Sequence, residues 1–220
     1  QEASIYQCLL TEGKVTGYEV AKQTGISRSN AYNSLASMTE KGAAYLVEEA
    51  STRKYVPVPL NEFCKNRIRK LEESGKWLQE HMPTEKAYVE GYITIEGAEN
   101  ILNKIKNLLS QVDQRVYISC TRNYLLLLIR ELDTLMEERK KVVIITDQPA
   151  TFHNAKVYFG ENRGMQIGII ADSKYVLTGE YGEGSMNTCL YSGQKNFVEL
   201  YKTALANEIK LLSIREENKD

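Results

Sequence analysis

Hydrophobic positions recur at helical spacing in short stretches near the start of the chain. Ile5, Leu9 and Leu10 share one face of residues 2–12, which close at Glu12-Gly13. Val20 and Ala21 make the apolar face of a second short helix, and Gly25-Ile26 turns the chain. Ser27 is a natural N-cap for a third helix, in which Ala31, Leu35 and Met38 recur every three to four residues and face inward. Arg28, Ser29, Tyr32, Asn33 and Ala36 then fall on the opposite face. After Lys41-Gly42, residues 44–49 and 54–58 read as strands joined by a polar tip at 50–53, and Pro57 and Pro59 close the unit. This order predicts a winged helix-turn-helix over residues 1–60.

The period changes next. Cys64, Ile68, Leu71, Gly75, Leu78 and Met82 alternate at spacings of four and three, a heptad seam rather than a broad globular face. Asn61 is placed to cap this helix and Pro83 to stop it, while Lys65, Arg67, Arg69, Glu72, Glu73 and Glu80 solvate its flanks. Residues 61–83 are therefore expected to link two domains and to dimerise as a coiled coil through Cys64, Ile68, Leu71, Leu78 and Met82. Packing of the seam onto its own domain is the alternative.

Beyond residue 83 strand and helix patterns alternate. Tyr88, Tyr92 and Ile93 mark a strand, and Ala98 to Val112 form an amphipathic helix around Ile101, Leu102, Ile105, Leu108 and Leu109. Residues 116–120 and 142–146 are buried strands flanking a leucine-rich helix over 123–139. Shorter strands are expected at 156–159, 165–171, 175–178 and 186–191. A last helix turns Phe197, Leu200, Tyr201, Ala204, Leu205, Leu211 and Leu212 inward. Residues 84–220 thus read as an α/β domain, and the whole chain as α+β multidomain.

Composition narrows the function classes. The net charge is −1, and residues 1–60 balance Lys14, Lys22, Arg28, Lys41, Arg53 and Lys54 against Glu2, Glu12, Glu19, Glu40, Glu48 and Glu49. Nucleic-acid binding must then come from local placement of cations, not from bulk charge. The four cysteines, Cys8, Cys64, Cys120 and Cys189, form no CxxC pair, so buried reduced thiols are expected, with no metal site and no cofactor. The longest apolar run, Tyr124 to Ile129, is too short to span a bilayer, and the expected location is cytoplasmic. Gln1 falls inside the first helical pattern, so residues are expected to precede it.

Catalytic signals are weak. Met165-Gln-Ile-Gly-Ile-Ile-Ala-Asp172, followed by Gly179, resembles the phospholipase D motif His-x-Lys-x4-Asp. Asp172 and Gly179 match, but Met165 stands at the nucleophilic histidine and Ile167 at the phosphate-binding lysine. Neither can attack phosphorus nor neutralise its charge. His153 and Lys156 are three apart, on opposite faces of a strand, so His153 reads as a surface residue. The glycines of 179–184 read as a turn, since Glu180 and Glu183 would repel phosphate. No catalytic residue is assigned.

Taken together, Gly17-Tyr-Glu-Val-Ala21, Gly25-Ile-Ser-Arg-Ser-Asn-Ala-Tyr32, the linking helix and a degenerate phospholipase D-like domain resemble the TrmB-type transcriptional regulators. That resemblance implies a homodimer that binds operator DNA and responds to a small effector. The effector is a sugar in the best-understood members, where a further C-terminal domain holds it. No such domain is expected after residue 220, so no sugar is assigned. Ser27, Arg28, Ser29, Asn30, Tyr32 and Asn33 are the expected reading set, with Arg53 and Lys54 on the wing for phosphates. Asn33 suits adenine and Arg28 suits guanine or phosphate. Tyr32 packing on the wing and a solvated tip for Arg53 and Lys54 are the structural alternatives. A winged helix used only for protein contacts, an active phosphodiesterase, and DNA binding without any ligand, with the second domain serving only as a dimer clamp, are the other functional readings.

Overall fold

The computed structural model of the chain describes residues 1–49, 52–83, 91–148, 152–160, 163–183 and 186–217, with side chains to residue 215. The chain divides into two compact units, Gln1–Lys86 and Ala87–Asp220, the first of which contains the helix of 61–83. The expected strand residue Tyr88 and the wing-tip residues 50 and 51 lie outside the described residues.

In the first unit, helix α1 (Glu2–Glu12) leads through strand β1 (Val15–Thr16) into α2 (Gly17–Thr24). Thr16 and Glu19 form a capping box: the Thr16 hydroxyl accepts from the Glu19 N–H, and the Glu19 carboxylate accepts from the Thr16 N–H at 2.7 Å. Gly25, at φ 70°, supplies the left-handed residue that ends α2. Ser27 then caps α3 (Arg28–Glu40) by accepting from the Asn30 N–H. Ala31, Leu35 and Met38 are buried, as their spacing predicts, against Ile5, Leu9 and Val20. Leu10 departs from the expectation: it is 44% exposed, because Ile5 and Leu9 alone reach the core.

The wing is β2 (Ala44–Glu49) paired antiparallel with β3 (Thr52–Pro57), with β1 added on β3's other edge. Strand β3 starts two residues earlier than the apolar pattern indicated, so Arg53 lies in the ladder opposite Glu48 and not in the tip. Helix α4 (Leu60–His81) follows. Pro59, not Asn61, occupies its N-cap, because Leu60 is already helical. No residue of α4 is buried, and Ile68, Leu71, Leu78 and Met82 are each about half exposed or more.

In the second unit the described strands form a seven-stranded mixed sheet. The elements run β4 (Tyr92–Glu96), α5 (Ala98–Ser110), β5 (Arg115–Ser119), α6 (Arg122–Leu126), α7 (Ile129–Glu137) and β6 (Lys141–Thr146). They continue β7 (Ala155–Phe159), β8 (Gln166–Ala171), β9 (Tyr175–Glu180), β10 (Thr188–Ser192) and α8 (Lys195–Glu217). The sheet order is β4-β10-β9-β8-β5-β6-β7, with β5, β6 and β7 parallel and the other pairs antiparallel.

Strand alternation sends Val116, Ile118, Ile144, Ile167 and Ile169 to a core with α5 and α7, and Val143, Ile145, Ile170 and Val176 to a core under α8. The single helix expected over 123–139 is two: Leu127 and Leu128 turn the chain so that Leu125 and Leu128 both enter the core. On α8 the inward residues are Val198, Leu205 and Leu212. Leu200, Ala204 and Leu211, expected inside, are exposed. The cysteines also divide: Cys120 and Cys189 are buried, Cys8 is partly so, and Cys64 is exposed. Burial pushes the Cys120 thiol up to about 12 and the Cys189 thiol up to about 11, which leaves both unreactive.

Asp172 shows what remains of the phospholipase D-like motif. Its carboxylate accepts the backbone N–H groups of Asp113, Gln114 and Arg115 at 2.8, 2.8 and 2.9 Å, tying the β8–β9 turn to the entrance of β5. Burial alone raises its pKa, but the three N–H donors outweigh burial and hold it below the ordinary value. A depressed folded-state pKa stabilises above the unfolded value, about 3.9, and that contribution fades as pH falls through the folded-state value. Asp172→Asn is expected to cost about 2–3 kcal/mol at neutral pH. It should also flatten the acid side of the stability profile, followed by urea unfolding between pH 3 and pH 7. An unchanged acid limb would rule out this role for the carboxylate.

Glycines at two strand positions are set by close approach. A Cβ at Gly168 would meet the Tyr201 hydroxyl at 1.8 Å, and one at Gly179 would meet the Thr188 carbonyl at 2.2 Å. Gly179, a match to the phospholipase D pattern, therefore serves strand pairing here, while Tyr201 over Gly168 bonds Thr178 at 3.0 Å.

Candidate nucleic-acid interface

The exposed face of α3 is built from its N-terminal turn. Ser27, Arg28, Ser29, Asn30, Tyr32, Asn33 and Ala36 are all exposed, while Ala31, Leu35 and Met38 anchor the opposite face. The six residues expected to read DNA are therefore all exposed, at the cap and over the first turns of α3. Such a helix, with its first turn leading, has the geometry that enters a major groove.

Two neighbours on α2 shape this surface. The Arg28 guanidinium lies over the Tyr18 ring, 4.5 Å from its centroid. Tyr18 is 50% exposed, so the stack holds the cation at the surface without burying it. Tyr32 is 44% exposed, and its ring packs on Gly17, where an added Cβ would come within 2.5 Å of a ring carbon. On the wing, the Tyr55 pKa is raised by burial first and by nearby Tyr32 second. One edge of Tyr32 thus packs on α2 beside the wing, and the remainder stays open. Tyr18 was not in the expected set. Its only sequence signal is an exposed aromatic one residue into α2, beside the turn that presents Arg28.

The wing is electrically balanced. Arg53 Nε donates to Glu48 at 3.1 Å, Lys54 Nζ pairs with Glu49 at 3.0 Å, and Lys14 pairs with the same Glu49. Arg53 and Lys54 are therefore not the bare cations that the sequence order implied. Exposed pairs of this kind are worth about 0–1 kcal/mol, so a phosphate can displace the carboxylates at little cost. The carboxylates still repel that phosphate. Replacing Glu48 and Glu49 with Gln is expected to tighten DNA binding about threefold at low salt, with the gain shrinking as salt rises. Fluorescence anisotropy on labelled duplex measures both; equal affinity at low salt would show that the wing stays clear of the phosphates.

Ile167 is buried in the α5/α7 core, Met165 is partly exposed, and His153 sits in the turn before β7. Among the described residues no group of His, Cys, Asp and Glu is placed to hold a metal, and no helix is long and apolar enough to cross a membrane. Arg163 is partly buried, bonded to Ser119 and paired with Glu208, which fastens α8 to the end of β5.

Comparison with known proteins bears on the first unit. The curated "Uncharacterized protein YrhO" of Bacillus subtilis (strain 168) is 32% identical over 161 residues, 71% of this chain and 58% of that protein. The chain therefore spans less than two thirds of that relative's length. Among solved structures, TrmBL2, described as an archaeal chromatin protein with a novel mode of DNA binding, aligns over 95% of this chain and 91% of its own, at 17% identity and TM-score 0.48. NucT from Helicobacter pylori aligns over 55% of this chain and 97% of its own, at 16% identity and TM-score 0.43. Nuc from Salmonella typhimurium, a phospholipase D family member, aligns over 54% and 93%, at 10% identity and TM-score 0.43. A protein-family model described as "Sugar-specific transcriptional regulator TrmB" matches residues 1–61, the stretch that holds α1 to α3 and the wing. The winged head is thus the part of the chain that matches the TrmB family model.

Proposed function

We propose that the chain is a sequence-specific DNA-binding transcriptional regulator that acts as a homodimer and is controlled through its second unit. The observation that carries this reading is the α3 surface, where Arg28, Ser29, Asn30, Tyr32 and Asn33 are exposed together on a head that matches the TrmB family. Arg28 and Asn33 carry the donors suited to guanine and adenine edges, and Arg53 and Lys54 follow the flanking phosphates. The homodimer is supported by α4, whose heptad seam residues Ile68, Leu71, Leu78 and Met82 are each about half exposed or more. Two heads so joined would meet half-sites about one or more helical turns apart.

Phosphodiester hydrolysis is not part of this reading, because Met165 and Ile167 occupy the positions whose chemistry the motif requires. A protein-docking role is favoured by one observation, the carboxylate-paired cations of the wing. Retention of the chain's own upstream region in preference to random duplex, in a competition gel shift, separates the two. Equal competition by random DNA would remove sequence-specific regulation from the account.

A further inference from the structure

Strands β5, β6 and β7 begin with cations on the face that α8 covers. Arg115 and Lys141 are direct cross-strand partners, and Lys156 follows in a later row of the same face, opposite Val143. Lys202 comes down from α8, and together the four line a cavity of about 310 Å³. Like charges placed side by side on a sheet destabilise it, so this arrangement costs stability unless an anion offsets it. Among the described residues no carboxylate lines the cavity. The nearest motif acid, Asp172, is already engaged by three backbone N–H groups, and Lys202 shares only an exposed pair with Glu199 at 3.2 Å.

The rest of the lining is apolar or aromatic. Tyr117 lies 5.9 Å from the Lys141 ammonium and Tyr158 lies 4.9 Å from that of Lys156, so the rings hold two of the cations in place. Val143 and Ile170 form the floor. The volume lies near the lower end of the range of small-molecule sites, roughly 300–1,000 Å³. The recess lies on the opposite sheet face from Ile167, so it is distinct from the degenerate phospholipase D-like position.

We propose that this cavity binds a small phosphate monoester with an apolar or aromatic body. A dianion answers the paired Arg115 and Lys141 better than a single carboxylate does, since a guanidinium grips phosphate with two parallel N–H groups. The floor and rings receive the body. This inference deepens the effector control proposed above and rests on that reading for its regulatory meaning alone.

The test uses phenyl phosphate as probe, titrated by calorimetry into the full chain without DNA, so a negative result leaves the DNA-binding reading intact. Saturable one-site binding is expected, tighter than that of inorganic phosphate, with phenol not binding measurably. Arg115 and Lys141 make no ion pair among the described residues, so Arg115→Gln/Lys141→Gln, which removes their cross-strand repulsion, should melt no lower than the parent. The same double variant should bind phenyl phosphate about tenfold more weakly or worse. Lys141→Arg, which keeps the charge, should retain binding and guards against a general packing defect. No binding at millimolar probe, or equal binding by the double variant, overturns the proposal.

Discussion

Replacing Ile68 and Leu71 together by Asp is expected to halve the sedimenting mass and to weaken operator binding about a hundredfold or more. Both side chains are more than half exposed within their own unit, at 56% and 68%, so their loss removes nothing from that unit's core. In the dimer they occupy the centre of the seam, where two pairs of carboxylates would be driven together out of water. A head that loses its tethered partner loses the effective concentration that makes the second half-site contact intramolecular. The thermal melt of the winged head should stay unchanged, which separates loss of dimer from loss of fold. Unchanged mass would show that α4 is not the dimer seam. Reduced mass with unchanged DNA affinity would show that each head binds on its own.

Arg28→Ala should weaken specific binding by about 1–3 kcal/mol and relax the preference for guanine at one operator position. The residue opens α3 beside its cap, and stacking on Tyr18 limits the conformations that its guanidinium must lose on binding. Tyr18→Ala should therefore give a smaller loss of the same kind, about 0.5–1 kcal/mol, with sequence preference retained. If Arg28 contacts only a phosphate, its removal weakens all sequences alike and leaves the preference untouched. Unchanged operator affinity with unchanged sequence preference would remove Arg28 from the interface.

The head was legible because each of its elements carries a local signal. Ser27 before Ala31, Leu35 and Met38 marks both the start and the buried face of α3, and Gly25 marks the turn before it. The capping box of Thr16 and Glu19 was equally present and was not used. Strand β1 has two residues, too short for any periodicity, and exists only because Val15 and Thr16 pair with Tyr55 and Lys54. Arg53 was misplaced because the ladder runs on through polar residues, where hydrophobic alternation gives no guide.

On α8 and over 123–139 apolar residues are more numerous than the core can take, so counting them marks no unique inward face. Leu200 and Leu211 fell on the wrong side for that reason, and the turn at Leu127 and Leu128 was hidden inside a leucine run. The cavity under α8 had no signal at all. Arg115, Lys141 and Lys156 are ordinary surface cations in the sequence, and only strand order brings them together.

The most direct test of the central claim is the salt dependence of binding to the chain's own upstream DNA. If Arg53 and Lys54 of two heads each neutralise a phosphate, the slope of log affinity against log salt should be about −4. A slope near zero, at any affinity, would contradict a DNA-reading head.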